Sequence, residues 1–250
     1  MKIGFISDIH ANAQALEAVM ADMRQSAVDS VVCLGDVATL GPSPREVVRM
    51  LRELDCLCIR GNHEEAVFSP EDAAALGIGG HLEPVLHWCR EALGGEDLDF
   101  LGRFVPRASL ELGGGLTALL YHGSPRSSVE SICSDTPGEV LGERLGDTAG
   151  AALAVGGHTH VPMLRPYGEL WVVNPGSVGC AFRSPPLAPP SPSLVPYAEY
   201  LVVDCDGRDI RLDFRRVGFD VVGYCDVLAR SDLPLRDWWL GEYRRLGYLP

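Results

Sequence analysis

Between residues 2 and 59 the chain alternates short apolar runs with stretches of helical periodicity, and this alternation constrains the fold more than any other feature. KIGFIS (2 to 7) is followed by Leu16, Val19, Met20 and Met23 at i, i+3, i+4, i+7 spacing. SVVCL (30 to 34) is followed by Ser43-Pro44-Arg45-Glu46, a capping box with proline at the first helical position, and then by Val47, Val48, Leu51 and Leu54. CLCI (56 to 59) closes the series. Strand, helix, strand, helix, strand predicts parallel strands covered by helices.

Residues 64 to 104 read as mostly helical, after which SLEL (109 to 112), LTALLY (116 to 121), ALAV (152 to 155), LWVV (170 to 173), YLVVD (200 to 204) and IRLDF (210 to 214) supply further strands. Several are spaced like hairpins, so a second, more antiparallel sheet is expected. SPPLAPPSPSLVP, within the Pro-rich stretch 184 to 196, suits neither a helix nor an inner strand and reads as a semi-rigid loop. Residues 221 to 250 read as one or two amphipathic helices carrying Trp238, Trp239 and Tyr243. No internal repeat or domain boundary is evident, and residues 1 to 250 are taken as a single domain large enough to bury its own core.

Composition removes several function classes. Hydrophobic content is 46% and charged content 22%, and no apolar stretch approaches the ~20 residues that span a bilayer, so no membrane partner is expected. Apolar residues 3 to 6 are cut off by Ser7, Asp8 and His10, which is unlike a secretory signal; the expected location is the cytoplasm. Several of the eight cysteines (Cys33, Cys56, Cys58, Cys205) lie in apolar runs without a C-x-x-C pair, and read as small core hydrophobes. A net charge of −13 argues against extended nucleic acid as a partner. It also means that an anionic substrate needs locally supplied positive charge, for which metal ions are the obvious source.

Five apolar runs end in residues that ligate metals or move protons. KIGFIS runs into Asp8-Ile9-His10, SVVCL into Gly35-Asp36, CLCI into Arg60-Gly61-Asn62-His63, LTALLY into His122-Gly123, and ALAV into Gly157-His158-Thr159-His160. Singly, each has a plain alternative: Asp8 as a helix cap, Asp36 as a turn residue, Asn62 in a left-handed turn, His122 as a satisfied core histidine. Jointly they stand at strand ends, where α/β sheets bind ligands. In GGHTH, extended backbone would put His158 and His160 on one side, whereas a helix would separate them. Imidazole with carboxylate suits Mn, Fe, Zn, Co or Ni better than Ca. His81 and His87 match nothing and read as ordinary histidines.

D-I-H, G-D, G-N-H, H-G and G-H-T-H, in this order over residues 8 to 160, resemble the five blocks of the calcineurin-like metallophosphoesterase superfamily. SDIHAN, GDVATLGPSP, HGSPR and NPGSVG resemble its bacterial and archaeal branch of small phosphoesterases and phosphodiesterases, over about the first 180 residues. The resemblance implies a four-layer αββα sandwich of two mixed β-sheets flanked by helices, with two divalent ions at the edge of the sheets. It implies one ion held by Asp8, His10 and His160, a second by Asn62, His122 and His158, and Asp36 bridging both. Manganese is the first expectation, with iron, zinc, nickel, cobalt or magnesium as alternatives.

The implied reaction is hydrolysis of small phosphodiesters or nucleotides by in-line attack of a metal-bridging hydroxide, with His63 assisting the leaving group. Glu64 is read as an acid opening a helix or as a partner of His63. Asn12 and Asn174 are candidates to support the site or touch substrate. The Asp-Arg-Gly that clamps phosphomonoesters in the family's protein phosphatases is absent after Gly35-Asp36, and Ala11 stands where glycine is common in related chains. The alternatives are a catalytically weak binding or scaffold module and a nuclease. The Trp238-Trp239 pair leaves a homo-oligomer open.

Overall fold

A computed structural model describes residues 1–185 and 193–249. The first five elements follow the predicted alternation: β1 (Lys2–Ile6), α1 (Ala13–Gln25), β2 (Ser30–Cys33), α2 (Pro44–Leu54) and β3 (Leu57–Cys58). β1 pairs in parallel with β2, and β2 with β3. Helix α2 starts at Pro44 as predicted, but the Ser43 side chain makes no capping bond. The Ser43 N–H is drawn instead to the Ala11 carbonyl at 3.1 Å, fixing Ser43 at φ −122°, ψ 50°.

Helices α3 (Asn62–Phe68), α4 (Glu83–Ala92) and α5 (Gly95–Leu101), with two short 3-10 turns, fill the stretch read as helical. Next come β4 (Arg107–Gly113), β5 (Leu116–Tyr121), α6 (Gly138–Leu145), β6 (Leu153–Val155), β7 (Met163–Tyr167), β8 (Leu170–Asn174), β9 (Tyr197–Cys205) and β10 (Ile210–Gly218). The second sheet has the order β4-β5-β6-β8-β7, the first β10-β9-β1-β2-β3. The two last strands therefore join the first sheet, and the expectation of a second, more antiparallel sheet is corrected. Both sheets are mixed, each with two parallel and two antiparallel pairings. β9 is buried along nearly its whole length, as an inner strand covered on both faces must be. β7 has no clean alternation and contains Pro166, which a strand at the sheet edge tolerates.

Three apolar layers hold these elements together. Between the sheets lie Ile3, Phe5, Val32 and Leu34 of the first sheet's side against Leu120, Leu153, Val155 and Val173 of the second. Leu16 and Val19 of α1 and Val47, Val48 and Leu51 of α2 pack with Tyr200 and Val202 on the first sheet's outer side. Leu141 and Leu145 of α6 pack with Ala154 and Val172 on the outer side of the second. Helix, sheet, sheet, helix is the four-layer order. Each large side chain fully buried there contributes about 1.5–3 kcal/mol.

Residues 221–249 form two helices, α7 (Val221–Arg230) and α8 (Arg236–Arg245). Tyr224, Leu228, Trp239 and Tyr243 pack against Val85 and Cys89 of α4 and against Cys180 and Phe182. The tryptophan pair is split: Trp239 is 8% exposed and Trp238 45%. The eight cysteines are free thiols, seven of them buried. Among the described residues no helix is long and apolar enough to cross a membrane. Of the Pro-rich loop 184 to 196, residues 186–192 lie outside the described residues.

Candidate metal centre

All eight residues singled out as ligands or acid sit just past the carboxyl ends of β1, β2, β3, β5 and β6, or at the start of α3. Five of them adopt left-handed backbone: Asp8 (φ 54°), His10 (47°), Asp36 (56°), His158 (68°) and His160 (58°). Such conformations cost on the order of 1–3 kcal/mol each in a non-glycine residue, and persist where surrounding bonds fix them. Those of Asp8, His10 and Asp36 are fixed by a backbone ladder between two strand-end loops, with Asp8 N–H on Gly35 O at 3.0 Å, His10 N–H on Asp36 O at 3.0 Å and Ala11 N–H on Val37 O at 2.8 Å, and the His158–His160 turn is held by Asn174 on the Gly157 carbonyl. Ala11 itself has φ 51°, so this turn does require the conformation that glycine adopts most easily.

One oxygen of each carboxylate is secured by a backbone N–H from another loop, and the other faces the centre. Asp8 Oδ2 accepts the His158 N–H at 3.0 Å, which leaves Oδ1 buried without a hydrogen-bond partner. Asp36 Oδ1 accepts the His63 N–H at 3.0 Å, and its Oδ2 lies 3.2 Å from His122 Nε2, 3.9 Å from His63 Nε2 and 4.0 Å from His10 Nε2. Asp8 Oδ1 lies 3.2 Å from His160 Nε2 and 3.9 Å from His10 Nε2.

The imidazoles are oriented from behind. His122 Nδ1 donates to the Leu34 carbonyl at 2.6 Å and His160 Nδ1 to the Cys180 carbonyl at 2.7 Å, so in each neutral ring the Nε2 lone pair faces the centre. His160 Nε2 and His10 Nε2 are 3.1 Å apart, and the Phe182 ring stacks on His160 at 5.0 Å. Asn62 Nδ2 donates to the Leu76 carbonyl at 2.9 Å, turning Oδ1 to within 3.1 Å of His122 Nε2. His63 Nδ1 is 2.6 Å from the Thr39 hydroxyl, a partner that the sequence did not single out.

Burial and charge pull these groups in opposite directions. Burial works to raise the Asp8 and Asp36 carboxyls, but the rings around them, led by His160 for Asp8 and His122 for Asp36, hold both below the usual carboxylate range. Burial works to lower His122, and the Asp36 charge outweighs it, lifting the ring to about 9; His160 rises likewise beside Asp8. Burial lowers His10, His63 and His158, the last to about 4.

Three sets of ligand atoms lie within 4.8 Å of one another: Asp8, His10 and His160; Asp36, His122 and His158; and His10, Asp36 and His63. The first two match the implied ligand sets, with Asn62 Oδ1 beside the second. The third brings the expected acid, His63, to ligand range as well. Converging lone pairs beside two buried carboxylates, one oxygen of which has no partner, are a donor set that suits divalent cations.

The residues around the centre hold it in shape. Glu64, 1% exposed, accepts three backbone N–H groups: Asp36 at 2.8 Å, Val37 at 2.8 Å and Gly61 at 2.9 Å. It both opens α3 and ties the Asp36 turn to the Asn62 turn, rather than touching His63 through its carboxylate. Burial, reinforced by Asp36, lifts its carboxyl to about 7 against those three bonds. Asn12 caps α1 through Ala15 N–H and donates to the Gly179 carbonyl; Asn174 donates to the Gly157 carbonyl and the Thr159 hydroxyl. Both are buried, and of the two roles expected for them these bonds are those of support. A Cβ on Gly157 would lie 2.0 Å from Ser7 Oγ and 2.8 Å from Asp8 Oδ2, which explains a glycine before the two histidines. His81 and His87 lie on the surface, away from the cluster.

Comparison with known proteins bears on the family and the fold. Residues 1–188 match the family model described as a calcineurin-like phosphoesterase superfamily domain. An uncharacterized protein of Methanocaldococcus jannaschii is 28% identical over 262 residues, covering 98% of each chain. Phosphodiesterase YfcE of Escherichia coli strain K12 is 28% identical over 188 residues, covering 71% of this chain and 79% of its own. Among solved structures, a metallophosphoesterase from Sphaerobacter thermophilus is 27% identical with a TM-score of 0.71, covering 94% of this chain and 95% of that one. A hypothetical protein from Pyrococcus horikoshii, 21% identical with a TM-score of 0.77 over 93% of this chain and 94% of that one, shares the fold.

The three bonds to Glu64 separate its two readings. Glu64→Gln places an amide group against backbone N–H donors and should destabilise the chain by about 1.5–3 kcal/mol in urea titration, the range for hydrogen bonds to a charged group. A loss below about 0.5 kcal/mol would mean that Glu64 only opens a helix.

Proposed function

The chain belongs to the calcineurin-like phosphoesterase superfamily, and from that premise we propose that it hydrolyses small phosphodiesters or nucleotides with the help of two divalent ions, manganese first among them. The observation that carries this reading is Asp36 Oδ2, a buried carboxylate oxygen flanked by His122 on one side and His10 on the other. In this reading Asp8, His10 and His160 would hold one ion, Asn62, His122 and His158 the second, and Asp36 both. Ions bound there supply Lewis-acid polarisation of the phosphate, activation of water near neutral pH, and the positive charge that a chain of net charge −13 otherwise lacks.

The chain's own groups do the rest. His63 takes the leaving-group role: Thr39 holds Nδ1 at 2.6 Å, and when that hydroxyl donates, the ring proton sits on Nε2, free to protonate the departing oxygen or stabilise the transition state. Its nearness to Asp36 Oδ2, 3.9 Å, keeps it beside the reacting centre. The diester preference is supported by the turn after Asp36, where Val37, Ala38 and Thr39 are buried and no arginine stands ready to clamp a phosphomonoester. The Escherichia coli relative, named a phosphodiesterase, points the same way. Residues 1 to 250 are taken as one working unit, because the family match stops at residue 188 while β9 and β10 complete the sheet that carries Asp8 and Asp36.

Metal-depleted protein reloaded with Mn should cleave bis(p-nitrophenyl) phosphate faster than a phosphopeptide; the reverse order would overturn the diester reading. His63→Ala should keep its bound metal while losing on the order of 10²–10⁴ in kcat, most severely with poor leaving groups. If that variant loses metal in parallel with activity, or recovers its rate in excess Mn, His63 is a ligand and not the acid.

A further inference from the structure

The segment HGSPR (122 to 126) extends past ligand His122, and its last residues have no part in the reaction described above. With Arg60 and Arg107 they wall a cleft of about 320 Å³, whose sides include Arg60, Glu65, Arg107, Ser124, Arg126 and Ser128. Arg60 follows β3 and Arg107 opens β4, the edge strands of the two sheets, which touch where the Arg60 N–H meets the Val105 carbonyl at 2.8 Å. Because β4 runs antiparallel to β5, its start lies beside the end of β5, from which Ser124 and Arg126 project.

The cleft therefore flanks the metal centre on the side of Asn62 and His122. Arg60 stands two residues before Asn62, Ser124 two after His122, and Glu65 two after His63. Two residues of chain reach at most about 7 Å, a separation comparable to that between two phosphates on one ribose.

The guanidinium groups are under-used. Among the described residues, neither Arg60 nor Arg107 pairs with a carboxylate. Arg60 Nη2 donates to the Phe104 carbonyl at 2.7 Å while its Nε is buried without a partner, and Arg107 Nη1 reaches the Pro125 carbonyl at 3.4 Å. Arg126 forks onto Glu130 through Nε and Nη2, leaving Nη1 uncommitted. Glu65, the acid in the wall, is tied to the Ser128 hydroxyl at 2.9 Å. With Arg126 paired to Glu130 and Glu65 in the wall, three guanidiniums stand against two carboxylates, so the cleft keeps a net positive charge in a chain of net charge −13.

We propose that this cleft binds a second anionic group of the substrate, a phosphate beyond the one hydrolysed, so that the favoured substrates are phosphodiesters or nucleotides carrying a further phosphate. Arginine suits that task because its planar fork meets phosphate oxygens two at a time. The proposal rests on the phosphoesterase reading and adds the substrate's second contact.

Calorimetric binding to the full chain in Mn, comparing thymidine 3′,5′-bisphosphate with thymidine 5′-monophosphate, tests it without requiring turnover. A failure of diester hydrolysis would therefore leave this result readable. The bisphosphate should bind about tenfold more tightly or better. Arg107→Ala and Arg126→Ala should each shrink that ratio several-fold with unchanged melting temperature, Arg107→Lys should keep part of it, and added salt should reduce it. Equal affinities for the two nucleotides, or variants that weaken both alike, would overturn the proposal. Arg60 is left intact because its guanidinium also holds the Phe104 carbonyl.

Discussion

The rest of the structure depends on a buried carboxylate that its surroundings cannot neutralise by hydrogen bonding alone. Asp36 is 1% exposed; one oxygen accepts a single backbone N–H, and the other points among imidazoles at 3.2 to 4.0 Å. Asp8, equally buried, presents an oxygen with no hydrogen-bond partner to the same space. Two like charges held out of water are costly unless positive charge joins them. Protonated rings can supply it, since the Asp36 and Asp8 charges pull His122 and His160 upward against burial. Divalent ions bound there would supply it more fully, and would leave the rings neutral and free to ligate.

This constraint explains why the strand ends are built as they are. Left-handed turns at Asp8, His10, Asp36, His158 and His160 fold five side chains back over the sheet edge, and the ladder between residues 8–11 and 35–37 holds the first three in place. Glu64 ties two of these loops together from beneath, while Asn174 steadies the His158–His160 turn. The four apolar-packed layers contribute the rigidity, since strain of this kind persists only where surrounding structure over-determines it. The neighbouring cleft is lined by Arg60 and Arg107, which pair with no carboxylate among the described residues.

Much of this was legible in the sequence. The β-α-β-α-β order of residues 2 to 59 is visible because buried parallel strands are continuous apolar runs and their covering helices are amphipathic. The candidate ligands are legible because each follows such a run. What escaped has physical reasons. β9 and β10 read as hairpin strands, but nothing in a strand's own residues says which sheet it joins. β7 hides because an edge strand can carry Pro166 and lacks alternation. The left-handed turns give no warning because aspartate, histidine and alanine occupy positions where glycine would have marked them. Glu64 looked like a helix-opening acid, which it is; its grip on Asp36 and Val37 depends on loops far apart in sequence. Thr39 was invisible as a partner of His63 for the same reason.

The central claim is that Asp36 stands between two ions. Anomalous diffraction from crystals grown in Mn measures this directly. The account predicts two peaks about 3.5–4 Å apart on either side of Asp36 Oδ2, one against Asp8, His10 and His160, the other against Asn62, His122 and His158. A single peak, or a pair in which His63 replaces one of these ligands, would contradict it.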